Sequence, residues 1–417
     1  MEGQQLKLNV FLWGTRIGVL EWNRPEGRAS FQFSDEYLES DIDLSPITYA
    51  KEKVRGRAFW GNRADKYQGL PEFLADSLPD KWGNTLFDQW LSRNKVPLMD
   101  INPLLKLSFI GSRGMGAFEF VPATDLGSEE SGLDMGKLYE LSLKILSERH
   151  SVSISAAEEK TLEKLIVLGT SAGGMHAKGI IAINQSTGEI RSGQIELPTD
   201  YRYYIIKFKE DPAVPSSEVE MAYCDMAVAA GIDMMPCSLY EAGGVSHFIT
   251  ERFDRQGGEK ILTQTLAAIS PSARDYTNLF WIAGRLGLGT GAKEQIFRRM
   301  VFNHIAGVTD DHNKNFSFLM TRKGEWSLSP AYDVMFTANI WENASAYVHS
   351  LGVGGKTSYV TRADLLEMAE DFEIESGERI IAEVAESVGR FPEFCERYSV
   401  GKFWTKKIED VLHQLFR

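Results

Sequence analysis

The chain has 417 residues, 43% hydrophobic and 25% charged, with a formal net charge of −13 at pH 7. That length suffices for a large buried core and two or three domains, and that charge argues against a broad nucleic-acid surface on this chain alone. No apolar run approaches the roughly 20 residues of a membrane span, and no basic segment precedes an apolar one after Met1, so no signal peptide is expected.

Residues 6–13 and 17–23 read as a hairpin around Gly14, and Phe31-Gln32-Phe33 extends that sheet with aromatic residues. From Leu70 to Leu91 the helix-period apolar residues are interrupted at Pro79, which predicts two short helices. Gly111, Gly114 and Gly116 do not fit the dinucleotide fingerprint, and Phe118-Glu119-Phe120 reads as a strand. Residues 121–136 are polar and form the expected linker, followed by a helix over 138–149.

An apolar run, residues 164–168, leads into Gly169-Thr-Ser-Ala-Gly-Gly-Met-His-Ala-Lys178 and a strand, Gly179 to Ile183. Gly173 and Gly174 would let backbone N–H groups close on phosphate oxygens. A plain glycine turn explains the same residues equally well, and no Walker sequence is present. Tyr203-Tyr-Ile-Ile-Lys207-Phe-Lys209 reads as a strand with Lys207 inside it, on the face of Ile205. A lysine so placed reaches the α- and β-phosphates in kinases; a solvated edge-strand lysine is the alternative. A helix over 217–230, capped at Gly231, carries an apolar stripe of Val219, Ala222, Tyr223, Met226 and Ala230. Glu220 lies off the stripe, where it could pair with Lys207 or simply favour the helix dipole. Ser246 to Arg255 then reads as a strand leaving the first lobe. Glu251, Arg252 and Phe253 fall where backbone groups of a hinge would meet an adenine. Cys224, Cys237 and Cys395 lack metal-ligand spacing and sit in apolar stretches, as reduced core thiols of a cytoplasmic protein.

From residue 256 the pattern is helical, clearest over 278–286 and 293–308, and later near 376–388 and 402–416, with a capping box at Thr361 and Asp364. Between them lies the most informative stretch. A helical pattern ends in Thr309-Asp-Asp-His-Asn-Lys-Asn315, a hairpin follows over 316–328, and Pro330-Ala-Tyr-Asp333 closes the unit. Asp310 and Asn315 are five apart, the kinase spacing of a base that takes the hydroxyl proton and an asparagine that holds metal. Asp333 stands where a hairpin returns a second acid to that site. Asn315 and Asp333 are hard oxygen ligands suited to Mg²⁺ beside a polyphosphate, and His312 could face the γ-phosphate. Locally bonded turn residues are the bland alternative.

The order glycine loop, strand lysine, helix glutamate, hinge, Asp-x-x-x-x-Asn and returning Asp resembles that of protein kinases, and the wording resembles the HipA family of serine/threonine kinase toxins. The matching words are Ser171-Ala-Gly-Gly-Met-His-Ala-Lys178, Tyr204-Ile-Ile-Lys207, Glu220 before Met226-Ala-x-x-x-Gly231, Glu251-Arg-Phe-Asp-Arg255, Thr309 to Ser317 and Pro330 to Val334. The first 120 residues resemble the family's extra subdomain, chiefly through Leu78-Pro79-Asp80. The resemblance implies an α+β, bilobal kinase fold: an N-terminal β-rich subdomain (1–125), a kinase-like N-lobe (126–255) and an all-α C-lobe (256–417). It implies ATP and Mg²⁺ as cofactors and Asp310 as catalytic residue, with Asp311 in a variable position. Cofactor contacts would come from Gly173, Gly174, Met175, His176, Ala177, Lys178, Lys207, Glu220, Glu251, Arg252 and Phe253, and from His312, Asn313, Lys314, Asn315, Tyr332 and Asp333. It also implies phosphorylation of a protein serine in translation, such as on an aminoacyl-tRNA synthetase, and autophosphorylation of Ser171. That added charge, roughly −2, would shut a loop built for phosphate. A HipB-like helix-turn-helix antitoxin would be the partner and would supply DNA binding; no membrane is implied. Met175-His176-Ala177 departs from the family's usual residues before the loop lysine. Two further readings stand beside this one. Asp-x-His-x-x-Asn is similar to phosphoinositide kinases, hence a lipid or small-molecule kinase, whereas aminoglycoside kinases have a histidine where this chain has Val308. The other is a non-catalytic module that regulates transcription with an antitoxin.

Overall fold

Apolar strand segments build two antiparallel five-stranded sheets between residues 7 and 251. The computed structural model describes residues 7–126, 132–148, 154–169, 176–338 and 347–415. They divide into two compact units: residues 1–210, 240–264 and 320–325 form the first, and 211–239, 265–319 and 326–417 the second.

In the first unit, β1 (Lys7–Leu12), β2 (Thr15–Asn23), β3 (Arg28–Phe33), β4 (Ala58–Trp60) and β5 (Phe118–Val121) form one sheet in the order β4-β3-β2-β1-β5. The β1–β2 turn places Trp13 and Gly14 at φ 50° and 83°, the left-handed pair whose twist suits a two-residue hairpin. Register lines up Leu8, Leu20, Phe31 and Phe59 across four strands. Phe31 contacts Phe33, Phe59 and Phe73 edge-on or tilted, and each such ring, once buried, contributes about 1.5–3 kcal/mol. The break at Pro79 separates helices Glu72–Ala75 and Lys81–Arg93, the second capped by Asp80, whose side chain accepts from Gly83 N.

The second sheet comprises β6 (Lys178–Asn184), β7 (Ile190–Ser192), β8 (Tyr201–Lys207), β9 (Cys237–Ala242) and β10 (Val245–Glu251), in the order β7-β6-β8-β10-β9. Lys207 ends β8 rather than lying inside it, and β8 is flanked on both sides, with Lys207 opposite Lys178 and Phe248. The edge-strand alternative for Lys207 is thereby excluded. Helices Lys81–Arg93, Met135–Glu148 and Glu159–Gly169 share a core with this sheet, joining Trp82, Leu86, Leu138 and Leu165 to Ile181, Ile206 and Ile249. The apolar run at 164–168 is thus the end of a helix. Its last residue, Gly169, sits so close that an added Cβ would lie 2.4 Å from Leu86 Cδ1, 2.8 Å from Trp82 Nε1 and 3.0 Å from Lys178 O. The Trp82 indole cannot yield easily, because it donates to Lys178 O at 2.9 Å. Gly169→Ala is therefore expected to cost about 1–3 kcal/mol through overpacking; an unchanged urea midpoint would contradict that close approach.

The second unit is mainly helical and also holds most of the hairpin formed by Ser317–Met320 and Trp326–Leu328. Its central helix, Thr290–Ile305, is buried continuously from Ile296 to Ile305. Helices Tyr276–Arg285 and Gly377–Gly389 pack on it. Helix Ser216–Ala229 packs on Gly377–Gly389 and Phe391–Arg397. It turns out at Gly231, φ 77°, as expected of a glycine after a helix end. Glu220, read as off the apolar stripe, is itself buried. The Thr361–Asp364 capping box is present, and a second one, Asp275 with Asn278, opens Tyr276–Arg285. Cys224 and Cys395 are buried, whereas Cys237 is half-buried and donates its thiol to Met235 O at 3.2 Å. Among the described residues no helix is long and apolar enough to cross a membrane.

Candidate active site

The second unit gathers the acidic motif residues at the end of its central helix. That helix stops at Ala306, and Gly307, φ 66°, turns the chain out. Thr337 then fixes the start of the loop: its Oγ1 accepts from Thr309 N at 2.7 Å and from Asp310 N at 3.0 Å. Asn315 closes the loop by donating its Nδ2 to Asp310 O at 2.8 Å, which leaves its Oδ1 as a possible ligand oxygen. The hairpin returns Tyr332 and Asp333 to the same place. The Tyr332 hydroxyl donates to Lys314 O at 2.7 Å and lies 2.6 Å from Ser317 Oγ. Asp311, Asn315, Tyr332, Asp333 and the buried Arg299 and Asn303 line one small pocket. Asp333 is held at φ 56°, a left-handed conformation that Asp tolerates better than most residues but that still costs energy.

The adjacent acids have opposite fates. Asp311 is buried and saturated: Oδ2 accepts from Tyr276 Oη at 2.8 Å and meets His349 Nδ1 at 3.1 Å, while Oδ1 accepts from Ser350 N at 2.8 Å and Leu351 N at 3.4 Å. Asn303 Nδ2 in turn donates to Tyr276 Oη at 2.8 Å. Asp310 instead has a side chain 59% exposed, 3.8 Å from His312 Nε2. Partial burial raises its pKa; His312 opposes the rise, and the Asp333 and Asp311 carboxylates add to it. A carboxylate that is reachable, crowded by two others and not committed to internal bonds is suited to taking a proton or facing a cation. Of the other loop residues, Asn313 is committed to structure, donating to Ala273 O and accepting from Ala267 N. Lys314 N donates to His312 Nδ1 at 3.2 Å, which orients that ring.

The first unit carries the remaining motif residues. Ser171, Gly173, Gly174 and Met175 lie outside the described residues. His176 is exposed, and Glu210 Oε1 meets its Nδ1 at 3.1 Å and accepts Ala177 N at 3.0 Å; the His176 bond leads the causes that lower the Glu210 pKa. Lys178 is buried, its Nζ 3.8 Å from Asp80 Oδ2. Lys207 lies with its ammonium 5.5 Å from the Phe248 ring centre.

At the expected hinge, Glu251 pairs with Tyr204 across β10 and β8 and bonds Arg202 at 3.3 Å. Arg252 is committed both ways. Its N–H donates to Tyr203 O at 2.8 Å, so it is not free for a base, and its buried guanidinium grips Asp254 through two bonds of 2.8 Å. Arg255 adds a third such bond, and Gly116 N a fourth at 2.7 Å. Phe253 is buried between these charges in sequence. The motif Glu251 to Arg255 thus also carries a structural ion cluster around Asp254.

Sequence reasoning also missed Tyr276, Arg299, Asn303, His304 and His349. Arg299, buried, donates to Ser329 O at 2.7 Å, and burial lowers its pKa to about 10. The missed signal was a run of polar side chains, Arg298, Arg299, Asn303 and His304, within a helix buried on all sides; buried polar groups imply a network.

The HipA N-terminal domain family matches residues 8–121, and the HipA-like C-terminal domain family matches residues 170–391. A putative kinase, Y4dM, from Sinorhizobium fredii is 24% identical over 228 residues, 50% of this chain and 55% of that protein, so the chain spans about half the length of that curated relative. Among solved structures, the Shewanella oneidensis toxin–antitoxin system of HipA, HipB and operator DNA shares the fold, with TM-score 0.63 and 15% identity over 98% of this chain and 95% of that one. With family matches reaching from residue 8 to residue 391, this chain belongs to the HipA family.

Proposed function

We propose that this protein is an ATP- and Mg²⁺-dependent protein serine/threonine kinase of HipA type. The observation that carries the reading is the contrast between Asp310, reachable and crowded by carboxylates, and Asp311, saturated by internal donors. In this reading Asp310 accepts the proton of the substrate hydroxyl as its oxygen attacks the γ-phosphorus and ADP leaves. Asn315 Oδ1 and the Asp333 carboxylate fit Mg²⁺, since both are hard oxygen donors beside a carboxylate cluster that a cation would relieve. Bound there, Mg²⁺ would offset charge on the phosphate oxygens. Lys207, at the end of a central strand, would neutralise the α- and β-phosphates. The loop that includes Gly173 and Gly174 would cover the γ-phosphate.

Three finer assignments belong to the same reading: a target in translation such as an aminoacyl-tRNA synthetase, silencing through phospho-Ser171, and a HipB-like antitoxin partner that supplies DNA binding. The partner is supported by the assembly in which the Shewanella structure was solved. The test is intact mass and peptide mapping after incubation with Mg²⁺–ATP. One added phosphate on Ser171 is expected in the parent and none in Asp310→Ala or Ser171→Ala. Phosphate at another residue would overturn the silencing assignment. No phosphate at all on a parent that binds ATP would favour a small-molecule or lipid substrate.

A further inference from the structure

Among the described residues, the nearest ion-pair partner of the Asp310 carboxylate is His312 Nε2, 3.8 Å away and beyond hydrogen-bonding distance. The direction of that carboxylate is therefore set by the main chain of residue 310. Two side chains hold that main chain. Asn315 Nδ2 donates to Asp310 O at 2.8 Å, and Asp310 N donates to Thr337 Oγ1 at 3.0 Å. The same Thr337 oxygen accepts from Thr309 N at 2.7 Å, and the two threonine hydroxyls lie 3.3 Å apart. A hydroxyl oxygen has two lone pairs. Thr337 Oγ1 commits both to loop amides, so its own hydrogen points to Thr309 Oγ1. Thr337 is itself fixed from behind, because its N–H and that of Ala338 donate to Gly307 O at 3.1 and 3.0 Å. Ser350 N donates to Thr309 O at 3.2 Å, so Thr309 is gripped on both sides of its main chain.

We infer that Thr337 is a positioning residue for phosphoryl transfer: its hydroxyl oxygen, shared by the Thr309 and Asp310 amides, sets the direction from which Asp310 meets the substrate hydroxyl. The inference rests on the kinase reading of Asp310 and goes beyond it, because Thr337 lies 27 residues downstream of that acid and acts only through its main chain. A general base works within hydrogen-bond reach of the proton that it takes. A misplacement of about 1 Å at a reacting group costs up to about 10²-fold in rate. Packing alone would not need the hydroxyl. Valine fills nearly the same space as threonine but leaves two loop N–H groups without their acceptor. Serine keeps the acceptor and gives up only the methyl group.

The test compares the full chain with its Thr337→Val and Thr337→Ser variants in two measurements. One is phosphate incorporation into the chain from Mg²⁺–ATP, read as a limiting first-order rate and as the ATP concentration that gives half of it. The other is hydrogen exchange of the Thr309 and Asp310 amides. Thr337→Val is expected to lower the limiting rate about 10–100-fold, to leave the half-saturating ATP concentration near the parental value, and to exchange both amides faster. Thr337→Ser is expected to restore rate and protection together. A packing role predicts the opposite order, with valine at the parental rate and serine impaired, and that result would overturn the inference. So would faster amide exchange in Thr337→Val at an unchanged limiting rate. A parent that incorporates no phosphate would remove the protein-kinase reading and this inference with it, whereas a parent that does so, with valine its equal, removes the inference alone. Should Thr337→Val fail to fold, Thr337→Cys takes its place, since sulfur is only a weak acceptor, and the same outcomes decide.

Discussion

Asp310→Asn is expected to slow phosphoryl transfer by about 10²–10⁴-fold while the unfolding midpoint stays where it is. The carboxamide is nearly isosteric but takes no proton. Stability is spared because this side chain is 59% exposed and the loop is held by backbone groups, Asp310 N on Thr337 and Asp310 O on Asn315. Radiolabel transfer from γ-labelled ATP and a thermal melt measure the two effects separately. Asp311→Asn is the opposing control. It loses charge from a buried carboxylate that accepts from Tyr276, Ser350 and Leu351, so its melt should fall. If Asp311→Asn abolished transfer without loss of stability, and Asp310→Asn did not, the two acids would have to exchange roles.

Asp254→Asn should cost about 3–5 kcal/mol, the penalty for leaving a buried ionic partner uncompensated. Burial alone would push this carboxyl up, but Arg252 and Arg255 overcome that and hold its pKa far below the usual range. Its contribution is thus present above the pKa of an unfolded aspartate, about 3.9, and is lost only as pH falls towards the depressed folded value. Urea titration at neutral pH should show the whole loss. At strongly acid pH, where the parent carboxylate is itself protonated, parent and variant should converge. A loss below about 1 kcal/mol at neutral pH would mean that the two arginines find other partners.

What the sequence revealed, and what it concealed, follows the range of the interactions involved. The Gly14 hairpin, the break at Pro79 and the Thr361 capping box were legible because each is decided within a few residues. The loop from Asp310 to Asn315 was legible for the same reason, since Asn315 bonds Asp310 within the loop itself. The Arg252–Asp254–Gly116 cluster was not, because one partner lies 138 residues from Asp254. The burial of Glu220 was not legible, since an apolar stripe marks one covered face and this helix also buries residues off its stripe. The sequence separates Asp310 from Asp311 only by spacing to Asn315 and by resemblance. Only the three-dimensional arrangement supplies the donors, from residues 276, 350 and 351, that commit one acid and spare the other.

The left-handed backbone of Asp333 bears on how any substitution there must be interpreted. Alanine removes the carboxylate and also places a residue that resists this conformation, at a cost of about 1 kcal/mol. An alanine scan would fold that backbone penalty into an apparent catalytic contribution. Glycine relaxes the main chain while deleting the side chain, and asparagine keeps the turn while deleting the charge. Comparing those two variants separates the carboxylate's chemical role from the shape of the turn that presents it.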